Sequence, residues 1–322
     1  MRALVTGGAG FIGHHLVASL LERGHEVSVI DDFTTGFRWR VEAFGDEIRL
    51  VDGSVLDPEA LERAGQGCDV IFHEAAIPSV ARSLVAPRLT NDVNVNGTIE
   101  VMLAARRLGV GRVVLAASSS AYGASQQLPC RETQSPAPLS PYAASKVAAE
   151  HYLHTLGAAH DIATVALRYF NVFGPGQDPD SEYAAVVPRF ITALLGRTRP
   201  TINGTGEISR DFTFVDNVVE ANLLAAAPTA PSGLTCNIGC GARYTLIELL
   251  RAIAEAAGSP VDAIFGPPRP GDIPHSLADI SLAERELGYR VSVPFAEGVA
   301  RTVAWYRDRP TGRGDDPSLL TG

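Results

Sequence analysis

Hydrophobic residues in this chain come in two rhythms that alternate along its first half. Arg2-Ala3-Leu4-Val5-Thr6 is a short apolar run of strand length, and Gly7-Gly8-Ala9-Gly10-Phe11-Ile12-Gly13 follows it. Beyond the glycines, apolar positions fall at helical spacing through His15, Leu16, Leu20 and Leu21 as far as Gly24. Strand-like runs recur at Glu26–Ile30, Ile48–Val55, Asp69–Ala75, Arg112–Ser118 and Ala163–Phe170. Helical patterns separate them at Pro58–Ala64, Asn94–Leu108 and Pro141–Leu156. Strands alternating with helices predict an α/β fold, a doubly wound parallel sheet. Such sheets bind ligands beyond the carboxyl ends of their strands. Gly7 to Gly13, Asp31, Ser54, Ala75, Ala76, Ser118 to Ser120 and Asn171 all fall at those ends.

After Phe170 the texture changes to glycine, proline and polar loops, at Gly174-Pro175-Gly176, Asn203-Gly204-Thr205-Gly206 and Gly266-Pro267-Pro268-Arg269-Pro270-Gly271-Asp272. This predicts a smaller second lobe. Helical patterns persist at Val215–Ala227 and Leu246–Gly258, so part of this half is expected to return to the first domain. The layout is therefore 1–170 for the first domain, 171–308 mainly for the second lobe, with about 207–245 returning, and a loose tail over 309–322 rich in Pro, Gly and Asp.

The first glycine turn carries specific chemistry. Gly7 permits a tight turn, Gly10 lets backbone approach a pyrophosphate, and Gly13 packs helix on strand, leaving a helix N-terminus to hold the anion. Asp31-Asp32 closes the second strand 18 residues past Gly13. A carboxylate there accepts hydrogen bonds from ribose hydroxyls and repels a 2′-phosphate, which reads as NAD, not NADP. Arg38 and Arg40 follow and are read as a solvated loop, although arginines so placed could serve a 2′-phosphate.

Composition sharpens one position. Lys146 is the only lysine; the other 26 of the 27 basic residues are arginine. A lone survivor marks a site that needs an ammonium on a thin stem, not a planar fork. Tyr142 precedes it by one helical turn, behind Pro141, which suits a helix start, so phenol and ammonium share a face. A cation so placed would lower the phenol's pKa, as suits a proton shuttle near neutral pH. Ser118-Ser119-Ser120 closes a strand with three hydroxyls, one of which could bond an oxygen being oxidised; the alternative is a serine-rich turn capping backbone groups. Arg210 and Arg269, beside Asp211 and Asp272 in glycine-rich turns, could clamp a diphosphate, with Arg189 a further candidate; each alone also reads as a surface arginine.

Net charge of −9 argues against general nucleic-acid or anionic-membrane binding. No apolar run reaches the length of a membrane span, and the first strand starts too early to leave room for a signal peptide, so a cytoplasmic location is expected. Cys68, Cys130, Cys236 and Cys240 lack zinc-type spacing, and His151 and His154 lack a third ligand, so no metal site is expected and the two histidines are read as exposed on their helix. His14 and His15 are read as facing solvent or neighbouring helices.

With these residues in view the chain resembles the extended short-chain dehydrogenases/reductases, and among them the nucleotide-sugar 4-epimerases. The resemblance spans roughly residues 2 to 305 and includes Thr6 to Gly13, Asn94-Val95-Asn96-Gly97-Thr98, the serine run, Tyr142 with Lys146, Arg168 to Pro175, Ser209-Arg210-Asp211-Phe212, Asn237-Ile238-Gly239 and Arg269 to Asp272. It implies a Rossmann domain holding NAD and a smaller lobe holding a UDP-sugar. Tyr142 would be the base, Lys146 would bind the nicotinamide ribose, and Ser118 would bond the sugar O4. Gly7, Gly10, Phe11, Ile12, Gly13, Asp31, Asp32, Ser54, Val55, Ala75, Ala76, Asn94 and Tyr169 would surround the cofactor with Tyr142 and Lys146. Ser118, Ser119, Ser120, Asn171, Val187, Arg189, Asn203, Arg210, Arg269, Asp272 and Ser276 would surround the substrate. The implied reaction removes hydride from C4, turns the 4-keto sugar about its diphosphate linkage and returns hydride to the other face, without net redox. Ser120-Ala121 stands where related dehydratases and decarboxylases carry acids, which argues against those reactions. Ser276 is small where strict UDP-glucose enzymes are bulky, which leaves room for N-acetylated sugars, and Asp178 disfavours a uronate unless Arg189 supplies a cation. Members of this family pair, so a homodimer through helices such as Asn94–Leu108 and Pro141–Leu156 is implied.

Overall fold

The structure, a computed structural model, describes residues 1–125, 127–179, 185–268 and 273–308. Arg269, Asp272 and the 309–322 tail lie outside the described residues. Six strands follow one another as in the alternating pattern: β1 (Arg2–Thr6), β2 (Glu26–Asp31), β3 (Ile48–Asp52), β4 (Val70–His73), β5 (Arg112–Ser118) and β6 (Ala163–Tyr169). A seventh, Leu234–Ile238, comes back from the second half and pairs parallel with β6, from Leu234 opposite Val165 to Ile238 opposite Tyr169. The sheet order is Leu234–Ile238, β6, β5, β4, β1, β2, β3, and every pairing is parallel. Strand order reverses between β1 and β4, so the crevice of this doubly wound sheet opens beyond Thr6 and His73.

The β1 to helix turn is closed by lack of side chains. Gly7 adopts φ +70°, and a Cβ on it would lie 2.7 Å from the Ala75 backbone on the neighbouring chain segment. A Cβ on Gly13 would stand 2.2 Å from the Gly7 carbonyl oxygen. Gly13 is thus required by its own turn, where close packing of helix on strand was expected. Helix Phe11–Glu22 then starts with no side chain capping its first amides.

Two apolar layers cover the sheet. On one face Leu4, Ile30, Ile71, Val113 and Leu115 pack under helices Pro58–Gly65, Gly97–Leu108 and Pro141–His160. On the other Val5, Val29, Phe72, Val114 and Leu167 join a larger core that continues through helices Phe11–Glu22, Val215–Ala226, Leu246–Ala257 and Phe295–Asp308. Asp211 fastens the loops of the second half. Its buried carboxylate accepts from the amides of Cys240 (2.7 Å), Gly241 (3.0 Å) and Ala278 (3.1 Å). Burial nonetheless lifts its pKa to about 6, because the three donors offset only part of the desolvation.

Helix Pro141–His160 carries the Tyr-Lys pair and is fixed at both ends. Ser140 caps it, accepting from the Ala143 amide at 3.1 Å, with Pro141 in the first turn. It runs past the expected end at Leu156, because Gly157 serves packing instead of termination: a Cβ there would lie 2.5 Å from Thr164 Cγ2. In its middle Glu150 and Arg168 form a buried fork, with Arg168 Nη2 at 2.7 Å and Nε at 3.0 and 3.2 Å from the carboxylate, each side chain 6% exposed. His154, expected to be exposed, is half-buried and reaches Thr164 Oγ1 (3.0 Å) and Thr235 Oγ1 (2.8 Å) on two strands. Glu150→Ala would leave a guanidinium buried without its partner, and urea unfolding is expected to show a loss of about 3–5 kcal/mol. A loss within the scatter of surface substitutions would mean that water reaches Arg168.

Candidate active site

One strand from the reversal of strand order, β5 ends in Ser118, and the helix that follows brings Tyr142 and Lys146 near it. Ser118 Oγ accepts from the Ser120 amide (3.2 Å) and from Ser120 Oγ (2.8 Å), so the serine run also serves as a short turn cap. These bonds fit the capping alternative for the serine run. Burial pushes the Tyr142 phenol above its ordinary pKa, and hydrogen bonding with Ser118 pulls it down. The expected lowering by Lys146 is not what dominates the phenol here. The ammonium instead donates to the Ala116 carbonyl at 2.8 Å, with the charges of Glu74 and Glu150 acting on it. Burial draws Lys146, 5% exposed, down to about 8 against those two carboxylates.

The residues around the glycine turn fit a dinucleotide. The first amides of helix Phe11–Glu22 have no capping side chain and no acid in the first turn, which leaves its positive end open to an anion. Asp31 is buried at the end of β2; one oxygen accepts from Ala9 N and the other from Phe33 N, both at 2.9 Å, so it braces the turn and keeps lone pairs for a ribose. Asp32 is exposed beside it and accepts from Thr34 N. Arg40 corrects the expectation of a solvated loop. It is 3% exposed, donates to the Ala9 carbonyl at 3.0 Å and to that of Gly176, and stacks near Phe37 and Trp39. Arg38 pairs with Asp52 at 2.5 Å. Both guanidiniums thus have partners of their own, which supports NAD over a 2′-phosphorylated cofactor. Ser54 and buried Val55 follow β3, and Ala75 and Ala76 line the exit of β4.

Asn94 is committed to protein. Its Oδ1 accepts from Ile77 N (2.8 Å), and its Nδ2 donates to Ile77 O (3.3 Å) and Ser145 Oγ (2.9 Å), in a side chain 2% exposed. It braces the loop after β4 against the Tyr-Lys helix, and the wide turn Asp92–Asn96 that aims it replaces the expected start of a regular helix at Asn94. His73 is a second brace, between Thr6 Oγ1 (2.8 Å) and Thr98 Oγ1 (3.1 Å); burial, then Lys146, holds it neutral with a pKa of about 3. His14 and His15 are partly exposed, and they bond the Gly10 and Pro175 carbonyls at 2.9 Å each.

A cavity of about 240 Å³ opens between the sheet edge and the second half, lined by Asn171, Val187, Arg189, Asn203 and Arg210 from the expected set. Phe190, Ile208, Phe212 and Leu246 also line it and were not foreseen, since apolar walls carry no motif. Asn171 sits at φ +23°, a conformation few side chains tolerate, which turns the chain from β6 into the cavity rim. Arg210 is anchored to the Ser209 carbonyl at 2.9 Å, and Ser276 N bonds Ser209 O at 3.1 Å, which sets Ser276 beside the strand that carries Arg210. Glu74, which no motif marked, stands just past β4, where Tyr169 Oη donates to its Oε1 at 2.7 Å and its charge acts on Lys146.

A family model, the NAD dependent epimerase/dehydratase family, matches residues 3–239. UDP-glucose 4-epimerase of Mycolicibacterium smegmatis is 40% identical over 313 residues, covering 96% of this chain and 99% of that protein. Among solved structures, UDP-glucose 4-epimerase of Thermus thermophilus in complex with NAD is 38% identical with a TM-score of 0.86, covering 96% of this chain and 99% of that one. UDP-N-acetylglucosamine 4-epimerase of Methanobrevibacter ruminantium, in complex with UDP-N-acetylmuramic acid, is 35% identical with a TM-score of 0.90, covering 95% and 97%. With a parallel seven-stranded sheet, an uncapped glycine turn and a buried lysine one helical turn from a tyrosine, the chain belongs to the NAD dependent epimerase/dehydratase family.

Proposed function

We propose that this chain is an NAD-dependent 4-epimerase of UDP-hexoses. The observation that carries the reading is the meeting of Tyr142 and Ser118 with a buried ammonium between the glycine turn and the cavity of Asn171, Arg189 and Arg210. Bound NAD supplies a reversible hydride acceptor. Every other part of the reaction falls to the chain. Tyr142 Oη takes the proton of the sugar 4-hydroxyl and gives it back after the sugar has presented its other face. Ser118 holds that oxygen by hydrogen bonding, and its bond to the phenol passes the proton's position from one group to the other. Lys146 supplies positive charge that favours the phenolate once the oxygen is bound. Arg189 and Arg210, with Asn203 and Asn171, hold the diphosphate and uridine while the sugar turns; Phe190, Phe212 and Leu246 exclude water around them.

We read 1–170 as the cofactor domain and 171–308 mainly as the substrate lobe, a reading supported by the return of Leu234–Ile238 to pair with β6. No helix among the described residues is long and apolar enough to cross a membrane. A homodimer is part of the reading. Val80, Leu84, Val85 and Leu89, on helices Val80–Val85 and Pro87–Asn91, are 38–79% exposed, and Tyr152 on helix Pro141–His160 is 45% exposed. Two copies would bury this apolar stretch together.

Incubated with UDP-glucose, UDP-N-acetylglucosamine and UDP-glucuronate, each followed by proton NMR of C4, the protein is expected to invert a neutral hexose without added NAD. Tyr142→Phe is expected to keep its cofactor and lose about 10²- to 10⁴-fold in turnover; near-normal rates would remove Tyr142 from the mechanism. Light scattering behind size exclusion is expected to give the mass of two chains, and a single-chain mass at micromolar concentration would rule out the pairing.

A further inference from the structure

Glu74 is ionisable, lies at the exit of β4 where its charge acts on Lys146, and has no part in the reaction as described. It follows His73, the last residue of β4, which is in register with Leu115 of β5. Glu74 therefore comes level with Ala116, whose carbonyl receives the Lys146 ammonium at 2.8 Å. Its carboxylate is held in place from two other elements. Tyr169 Oη of β6 donates to it at 2.7 Å, and Asn222 Nδ2 of helix Val215–Ala226 donates to that same Oη at 2.8 Å. A two-step relay of this kind fixes a carboxylate where a merely solvated glutamate would wander.

We propose that Glu74 is a positioning residue for the catalytic base: its carboxylate is the counter-charge that keeps Lys146 protonated beside Tyr142, and so sets the alkaline limit of turnover. This rests on Tyr142 and Lys146 being the base and its cation. The charged and titratable groups that act with the ammonium are His73 at the end of β4, Glu74 just past it, and Glu150 from its own helix, with Arg168 of β6 behind Glu150 and Tyr142 one turn before Lys146 on that helix. His73 is neutral, and Glu150 is taken up by its fork with Arg168. Of the two carboxylates that act on Lys146, Glu74 has the larger effect and is the one not forked to an arginine. Burial lifts Glu74 to about 7, against the Tyr169 hydrogen bond and Lys146, and draws Lys146 down to about 8. Between those values both partners are charged. Removing the carboxylate removes an attraction that favours the ammonium, so Lys146 gives up its proton at lower pH and the alkaline fall-off moves to lower pH with it.

A chain with one lysine permits a direct test. Protein carrying ¹³C,¹⁵N-lysine gives a single side-chain NMR signal, whose pH titration reports Lys146. Glu74→Gln is expected to lower its midpoint by about one pH unit, as loss of a close opposite charge does, and to move the alkaline limb of kcat the same way. Glu74→Asp keeps the charge and is expected to bring both back towards the wild type. An unchanged midpoint in Glu74→Gln, or a kcat lowered equally at every pH with no displaced limb, would overturn the proposal. Should Glu74→Gln fail to fold, Tyr169→Phe removes the hydrogen bond but not the charge, and a smaller drop in the Lys146 midpoint is expected; no drop would overturn it equally. Wild-type protein that inverts no UDP-sugar would sink the functional reading, whereas the lysine titration judges Glu74 alone.

Discussion

Taking an ammonium out of water is among the costlier things a fold can do, and the helix Pro141–His160 is organised around having done it. Lys146 reaches past the edge of β5 to a backbone carbonyl, between two carboxylates. The stem that delivers it has to be narrow, because the helix lies directly on the sheet, where Gly157 meets Thr164 of β6. A guanidinium at this place would demand a wider channel and several acceptors. The helix is accordingly fastened along its length, by Ser140, by Ser145, by the Glu150–Arg168 fork and by His154. An error in the angle of this helix would move the Tyr142 phenol relative to Ser118, and a proton transfer tolerates little of that.

How much of this could be read in advance depends on the range of the interactions. The strand and helix pattern of the first half was legible because each element carries its own period and its own stop. β5 comes out with the expected bounds, Arg112–Ser118. Errors arise where a residue type serves a distant contact. Gly157 looks like a terminator in sequence, but its missing side chain is matched to Thr164 on β6, the strand beneath the helix. The expected strand Asp69–Ala75 is cut to Val70–His73, since Glu74 and Ala75 leave the ladder at the reversal point. In the second half little was legible beyond two helices. Short pairs such as Thr213–Phe214 with Val172–Phe173 are held by a cluster of Phe173, Phe212, Phe214 and Phe295, whose members lie far apart in the chain.

The same distinction applies to the site. The glycine turn, Asp31, the serine run and the Tyr-Lys pair are each local in sequence, so each could be named before any coordinates. Their convergence at the crevice follows from one rule about parallel sheets. Glu74 gave no signal, since an acid after a strand is ordinary until Tyr169 and Lys146 are known to meet it. Arg40 gave a misleading one. Read as solvated, it is buried because its two carbonyl acceptors, those of Ala9 and Gly176, come from segments far apart in the chain.

That last contact bears on how the two ligands of such an enzyme are kept in one frame. The loop from Gly174 to Gln177 leaves the cavity rim at Asn171 and Val172 and enters the second half. His15, on the glycine-turn helix, binds its Pro175 carbonyl; Arg40, which also holds Ala9 of the turn, binds Gly176; and Tyr306 binds Gln177. Burial keeps His15 neutral, with a pKa of about 4, so this connection does not loosen across the physiological pH range. The segment at the cavity rim is thereby bonded to the glycine turn. In an epimerase the sugar must turn while its nucleotide and the hydride carrier stay in register, and a bonded link between these two segments suits that demand. The frame is built from backbone carbonyls, which explains why no pair of side-chain motifs announces it.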